Sequence, residues 1–147
     1  MRASYIKDLA TWSSEFKFCV QVSVRFSETD MYGHLNNTIP FTYFEHARIE
    51  FLKEIKLMNN WLDPASDTFP VVADLQCDFA KQVFFDEVLM IYVKAAAIGN
   101  SSVDIHYMAQ NSEGDIVFTG RGSMVQIGRH TGKGVPWTDE EKLLFTN

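Results

Sequence analysis

A chain of 147 residues, 46% of them hydrophobic, can build one sizeable core and fits a single domain over residues 1–147. Its net charge of −6 argues against a general nucleic-acid binder, which needs a basic surface, and no apolar run reaches the length of a membrane span. Cys19 and Cys77 lie far apart in apolar runs and read as reduced, buried thiols; with no apolar signal-peptide core near Met1, the expected location is cytoplasmic.

Residues 1–15 read as an amphipathic lead-in, with Tyr5, Ile6, Leu9 and Trp12 at helical spacing. Residues 17–26 alternate, so Phe18, Val20, Val22, Val24 and Phe26 share one face of a strand with a single buried side. A polar turn follows, and then a helix predicted from Asn36 or Asn37 to about Met58. Either asparagine can cap it, and Pro40 fits the first turn, where a missing N–H leaves nothing unpaired. Asn59, Asn60 and Pro64 mark its end. Phe41, Phe44, Ala47, Phe51 and Ile55 form one apolar stripe, widened by Ile39, Tyr43, Ile49, Leu52 and Met58. His46, Glu50, Lys53 and Glu54 face solvent, so sheet should wrap most of this helix.

The second half reads as strands. One runs from Pro70 to Ala80, and a longer one opens at Phe85-Asp86-Glu87 and reaches about Ile98. A third carries Val103, Ile105, Tyr107 and Ala109, and residues 115–127 return from a hairpin loop at Asn111–Gly114. Pro136-Trp137 then breaks the chain before a short C-terminal helix capped by Thr138. Strand, long helix and consecutive antiparallel strands give an α+β architecture: a curved antiparallel sheet around a helix.

The chemistry concentrates in Asp30-Met-Tyr-Gly33-His34-Leu-Asn36-Asn37. A carboxylate sits just ahead of a helix whose unpaired N–H groups attract negative charge. Such groups can polarise a carbonyl while the carboxylate acts as nucleophile or general base. Read alone, Asp30 is also an ordinary turn residue and His34 an ordinary packing histidine.

Asp-x-x-Gly-His-hydrophobic-Asn-Asn, followed by Tyr43-Phe44-Glu45-His46-Ala47-Arg48, resembles the signature of hotdog-fold thioesterases of the 4-hydroxybenzoyl-CoA thioesterase type, closest to bacterial acyl-CoA thioesterases. The match is specific over residues 24–52 and follows the strand pattern alone from Pro70 to Pro136. The resemblance implies a hotdog fold and hydrolysis of an acyl-CoA thioester to a free acid and CoA. It implies no metal and no cofactor beyond the CoA of the substrate, and a homodimer or homotetramer with sites at the subunit junction. It makes Asp30 the catalytic carboxylate and His34 a secondary site residue, with the N–H groups of Asn37 and neighbours such as Thr38 as oxyanion donors. Asn36 and Asn37 also read as caps and turn formers. Plant acyl-carrier-protein thioesterases place an aspartate, an asparagine and a histidine in the equivalent turn; here Tyr32 stands where their asparagine would be.

Glu45 is the second candidate carboxylate, although an ion pair with Arg48 is its ordinary reading. Gly128-Arg-His-Thr-Gly-Lys-Gly superficially resembles a phosphate loop. It has three residues between the glycines instead of four and Gly134 after the lysine, so ATP binding is rejected. Arg129 and Lys133 remain candidate contacts for a CoA phosphate, and the scattered histidines have no zinc spacing. Three alternatives stay open: an acyl-carrier-protein thioesterase, a non-catalytic acyl-CoA sensing module, for which Asp30 would be superfluous, and an enoyl-thioester hydratase. The last would need four residues between aspartate and histidine, where this chain has three.

Overall fold

The computed structural model describes residues 3–146; Met1 and Arg2 of the predicted lead-in, and Asn147, lie outside them. The lead-in is helical only over α1 (Leu9–Ser14), where the Asp8 carboxylate accepts from Thr11 N–H as a cap. Trp12 is buried there and Leu9 exposed. The alternating segment forms β1 (Phe18–Ser23), and Val24 stays buried beyond it. Phe26 departs from the predicted face. It enters a single 3₁₀ turn, Phe26–Glu28, and is 75% exposed because the chain bends there toward Asp30.

The central helix is α2 (Ile39–Glu54), shorter at both ends than expected. Its C-terminus closes through Lys56, at φ +67°. The Lys56 N–H donates to Lys53 O and the Leu57 N–H to Leu52 O, each at 3.0 Å. This pairing satisfies the last carbonyls, and the buried Leu52 and Leu57 seal it. Met58 starts a separate short helix, α3 (Met58–Leu62). Ile49, placed on the apolar face by the sequence, is exposed.

The predicted 70–80 strand is two strands, β2 (Thr68–Val72) and β3 (Gln76–Phe79), paired along the same side of β6 (Ile116–Gly128). Asp74 divides them: its carboxylate accepts from Ser123 N–H at 2.7 Å and from the Arg121 guanidinium, so side-chain bonds replace the backbone ladder there. Residues 84–87 form a turn, with Asp86 at φ +70°, and β4 (Val88–Ile98) begins after it. With β5 (Ser102–Gln110) the order is β1-β4-β5-β6, then β2 and β3, antiparallel throughout. Thr138 and Glu141 exchange capping bonds ahead of α4 (Asp139–Thr146).

The curled sheet wraps α2, giving an α+β hotdog fold. Phe44 is fully buried and stacks on Tyr107 of β5, ring centroids 4.3 Å apart, with Phe118 of β6 at 5.7 Å. Ala47, Phe51 and Leu52 continue this contact against Leu89, Ile91 and Ile105. Among the described residues no helix is long and apolar enough to cross a membrane.

The opposite face of the sheet is covered locally by α1. The Trp12 indole N–H donates to His106 Nδ1 at 2.9 Å, which leaves the ring proton on Nε2, 2.9 Å from Asp104. Burial depresses the His106 pKa, helped by the Lys94 and Arg121 charges and opposed by Asp104. A protonated ring would have no lone pair for Trp12. The folded chain therefore binds fewer protons than the unfolded one, whose histidine titrates near about 6.5. The His106 contribution to stability is complete above that value and is lost as pH falls through the lower folded pKa. The melting temperature is expected to fall as the pH drops below about 6.5, and His106→Gln should flatten that slope. Equal slopes in the two proteins would dismiss His106 as the titrating group.

Candidate active site

The Asp30 turn is built by its own side chain. Oδ1 accepts from the N–H groups of Tyr32 at 2.8 Å and His34 at 3.1 Å. The Asp30 N–H donates to His34 O at 2.8 Å. Gly33, at φ +79°, takes the left-handed conformation that the reversal requires. A bridge from Thr29 to Leu35 closes this small hairpin, and a bridge from His34 to Phe84 fastens it to the turn ahead of β4, with Leu35 N–H donating to Val83 O at 2.7 Å. One carboxylate oxygen is thus fixed, while Oδ2 has no hydrogen-bond partner among the described residues.

The N-cap of α2 is Thr38, without a side-chain capping bond, so neither asparagine caps the helix, and the turn ahead of it is built by Asn36. Its Oδ1 accepts from Thr38 N–H and Thr38 Oγ1, each at 2.9 Å, and its carbonyl accepts from Ile39 N–H. The Thr38 N–H is therefore occupied, which corrects its expected role as an oxyanion donor. The neighbouring Asn37 N–H has no protein partner among the described residues and stands at the positive end of α2.

Asp30, His34, Asn36 and Asn37 line one cavity of about 560 Å³. Leu35, Phe79, Val83 and Phe118 supply its apolar walls, and Lys81 its cation. The His34 ring packs edge-on to Phe84, centroids 5.0 Å apart, which holds the imidazole at the cavity wall. Nothing local in the sequence marks Lys81 as a lining residue; it arrives there because β3 pairs with β6. Its ammonium meets Asp115 at 2.8 Å.

Other sequence candidates lie elsewhere. Glu45 is exposed on α2 and does not line the cavity. It makes no ion pair with Arg48 among the described residues. Arg48 is 7% exposed and donates to the buried Tyr107 hydroxyl at 3.1 Å, because the helix turns that position toward the sheet. Arg129 is also absent from the lining. Its Nε donates to Ser66 O at 2.9 Å and its guanidinium covers the Phe69 ring, while Lys133 is exposed on the same loop. Cys77 is half-buried, its thiol pushed up to about 12 by burial, so it holds its proton at neutral pH. Among the described residues no three His, Cys, Asp or Glu side chains gather as a metal site.

A larger cavity of about 640 Å³ opens between α1, the end of α2 and α4. It is the weaker candidate for chemistry: it holds none of the turn residues, and its most buried lysine, Lys94, is committed to Trp12 O and Glu15.

The family profile of the thioesterase-like superfamily matches residues 24–143. The protein YsmA of Bacillus subtilis strain 168 is 50% identical over 137 residues, covering 92% of this chain and 90% of YsmA. Among solved structures, YbaW, a probable thioesterase of Escherichia coli, superposes with a TM-score of 0.79 at 20% identity, over 88% of this chain and 97% of that one. A thioesterase of Thermus thermophilus, complexed with coenzyme A and Zn, gives 0.73 at 24% identity, over 89% and 93%. The motif turn, the central helix and strands β2 to β6 fall inside the matched span, and the chain belongs to the thioesterase-like superfamily.

Proposed function

We propose that the protein is an acyl-CoA thioesterase of the 4-hydroxybenzoyl-CoA thioesterase type, releasing a free carboxylic acid and CoA. The observation that carries this reading is the shared cavity of Asp30 and the unpaired Asn37 N–H. Oδ2 of Asp30 is the free oxygen, available to attack the thioester carbonyl or to take a proton from water that does so. The Asn37 N–H and the α2 dipole oppose the charge that develops on the carbonyl oxygen. The C–S bond then breaks, and CoA leaves as a thiolate that needs no strong acid. Where water attacked, the free acid is formed directly; where Asp30 attacked, water hydrolyses the acyl–Asp30 anhydride to the free acid and regenerates the carboxylate. His34 borders the reacting group, and Asn36 holds the helix start in place. The reaction needs no cofactor beyond the substrate's own CoA, and the expected location remains the cytoplasm. Family membership supports the hydrolase class, and the coenzyme A in the T. thermophilus structure supports CoA as the carrier. In the CoA-phosphate role Lys81 replaces Arg129 and Lys133, since it is the cation at this cavity. A thiol-release assay across short, medium, long and aromatic acyl-CoAs tests the reading. Release from at least one class is expected; binding of all classes without thiol release would sink it.

The active unit is proposed to be a homodimer, or two dimers paired into a tetramer. Met31 is 88% exposed and Tyr32 75% within the Asp30 turn, and Phe79 of the cavity lining and Phe84, which packs on His34, are exposed as well. β3 adds a free sheet edge to these apolar side chains, and such edges are normally paired or covered. A second copy would cover both and complete the acyl pocket. Light scattering is expected to give at least twice the 16.8 kDa of one chain, and activity per chain should fall on dilution. A monomer with full specific activity would end the shared-site proposal.

A further inference from the structure

We infer that Glu28 and Tyr43 form a brace that sets the distance between the Asp30 carboxylate and the Asn37 N–H, making both positioning residues for the thioester reaction; this rests on the acyl-CoA thioesterase reading above. Glu28 stands two residues before Asp30, and four separate bonds meet at it. Its Oε1 accepts from the Tyr43 hydroxyl at 2.7 Å and from Arg25 N–H at 2.8 Å. Its carbonyl accepts from Asn36 N–H at 2.8 Å, and its own N–H donates to Arg25 O at 2.9 Å. Asn36 immediately precedes Asn37. A single residue therefore ties the strand entering the Asp30 turn to the residue that leads out of it and to the helix beyond.

Tyr43 makes the third side rigid. It lies on the second turn of α2 and is buried in the core, so its hydroxyl position is fixed by helix packing. Burial, and then the Glu28 carboxylate, push the phenol above its ordinary range, so the hydroxyl remains a donor at any working pH. A phenol donating to a carboxylate is among the stronger and shorter hydrogen bonds, and this one connects groups fifteen positions apart in sequence. Without it, the Asp30 hairpin keeps its internal bonds and its bridges to Val83 and Phe84. What it loses is its registry with α2. A displacement near 1 Å is enough to cost on the order of 10²-fold in rate where a nucleophile and an oxyanion donor must act on one carbonyl.

The test compares Tyr43→Phe, Glu28→Ala and Glu28→Gln with the wild-type protein, using an acyl-CoA that the wild type hydrolyses. Tyr43→Phe keeps the buried ring and removes only the hydroxyl. It is expected to lower kcat about tenfold with little change in KM, and Glu28→Ala to do the same or more. Glu28→Gln keeps an acceptor for Tyr43 and Arg25 and should restore kcat to within about threefold of wild type. The double variant Tyr43→Phe/Glu28→Ala should be no worse than Glu28→Ala, since Glu28→Ala already removes the bond from Tyr43. Hydrogen exchange supplies a readout independent of turnover: the Asn36 amide should exchange about tenfold faster in Tyr43→Phe while the β4 and β5 amides are unchanged. Unchanged kcat in both Tyr43→Phe and Glu28→Ala, a rise in KM alone, or unaltered Asn36 exchange would each overturn the brace. If the wild type releases no thiol from any acyl-CoA, the hydrolase reading has failed, and the exchange result alone decides whether the brace exists.

Discussion

Asp30→Asn is expected to lower kcat by at least about 10²-fold while the fold and acyl-CoA binding survive. Asparagine has nearly the same shape, and its side-chain oxygen can still accept from Tyr32 and His34, so the turn should close as it does now. What disappears is the second anionic oxygen, the one with no partner among the described residues. An amide at that place cannot attack a carbonyl or remove a proton from water. The measurement is thiol release at saturating acyl-CoA, with binding followed separately by titration. Near-wild-type turnover would remove Asp30 from the chemistry. His34→Ala should cost less, because the thiolate leaves without acid assistance and the ring is held by packing on Phe84. A larger loss from His34→Ala than from Asp30→Asn, with both proteins folded, would reverse the two assignments.

Where residue chemistry acts over a few positions, the sequence was informative about structure. Asp30, Gly33 and His34 specify a tight turn because an aspartate oxygen reaches amides two and four residues on, and glycine tolerates the positive φ. Asn111 works in the same way in the β5–β6 hairpin, accepting from the N–H groups of Glu113 and Asp115. Thr138 caps α4 as its position suggests. The errors arise where a distant partner decides. Asp74 interrupts an otherwise continuous strand pattern because Arg121 and Ser123 of β6 capture its carboxylate. Arg48 abandons Glu45 for Tyr107, fifty-nine residues away. The end of α2 was hidden for another reason. Lys56 adopts a conformation that glycine or asparagine usually announces, and the buried Leu52–Leu57 contact supports it there. The candidate site divides in the same manner: Asp30, His34, Asn36 and Asn37, which line one cavity, form one contiguous motif. Phe79, Lys81 and Phe118 belong to its walls only because β3 and β6 pair.

That pairing leaves no room for a side chain at Gly120, and Gly120→Ala is expected to be strongly destabilising. Gly120 lies on β6 opposite Cys77 of β3 and Tyr107 of β5. A Cβ there would contact Phe44 Cε2, with Phe44 Cζ at 2.6 Å and Gln76 O at 2.7 Å. Neither neighbour yields cheaply. The Phe44 ring is fully buried and stacked on Tyr107, and Gln76 O belongs to the β3 backbone alongside β6. Overpacking of this kind costs about 3 kcal/mol at the upper end of its usual range. For a chain of this size, that is a fall of roughly 6–12 °C in melting temperature. The loss should be partly recovered by shrinking the ring: Phe44→Leu is itself destabilising, yet Gly120→Ala/Phe44→Leu should be more stable than the sum of the two losses predicts. Thermal unfolding of the four proteins measures that coupling. A Gly120→Ala protein that melts with the wild type would mean that β6 moves away from α2 without cost. Strict additivity in the double variant would mean that the methyl group is resisted by the β3 backbone and not by the ring.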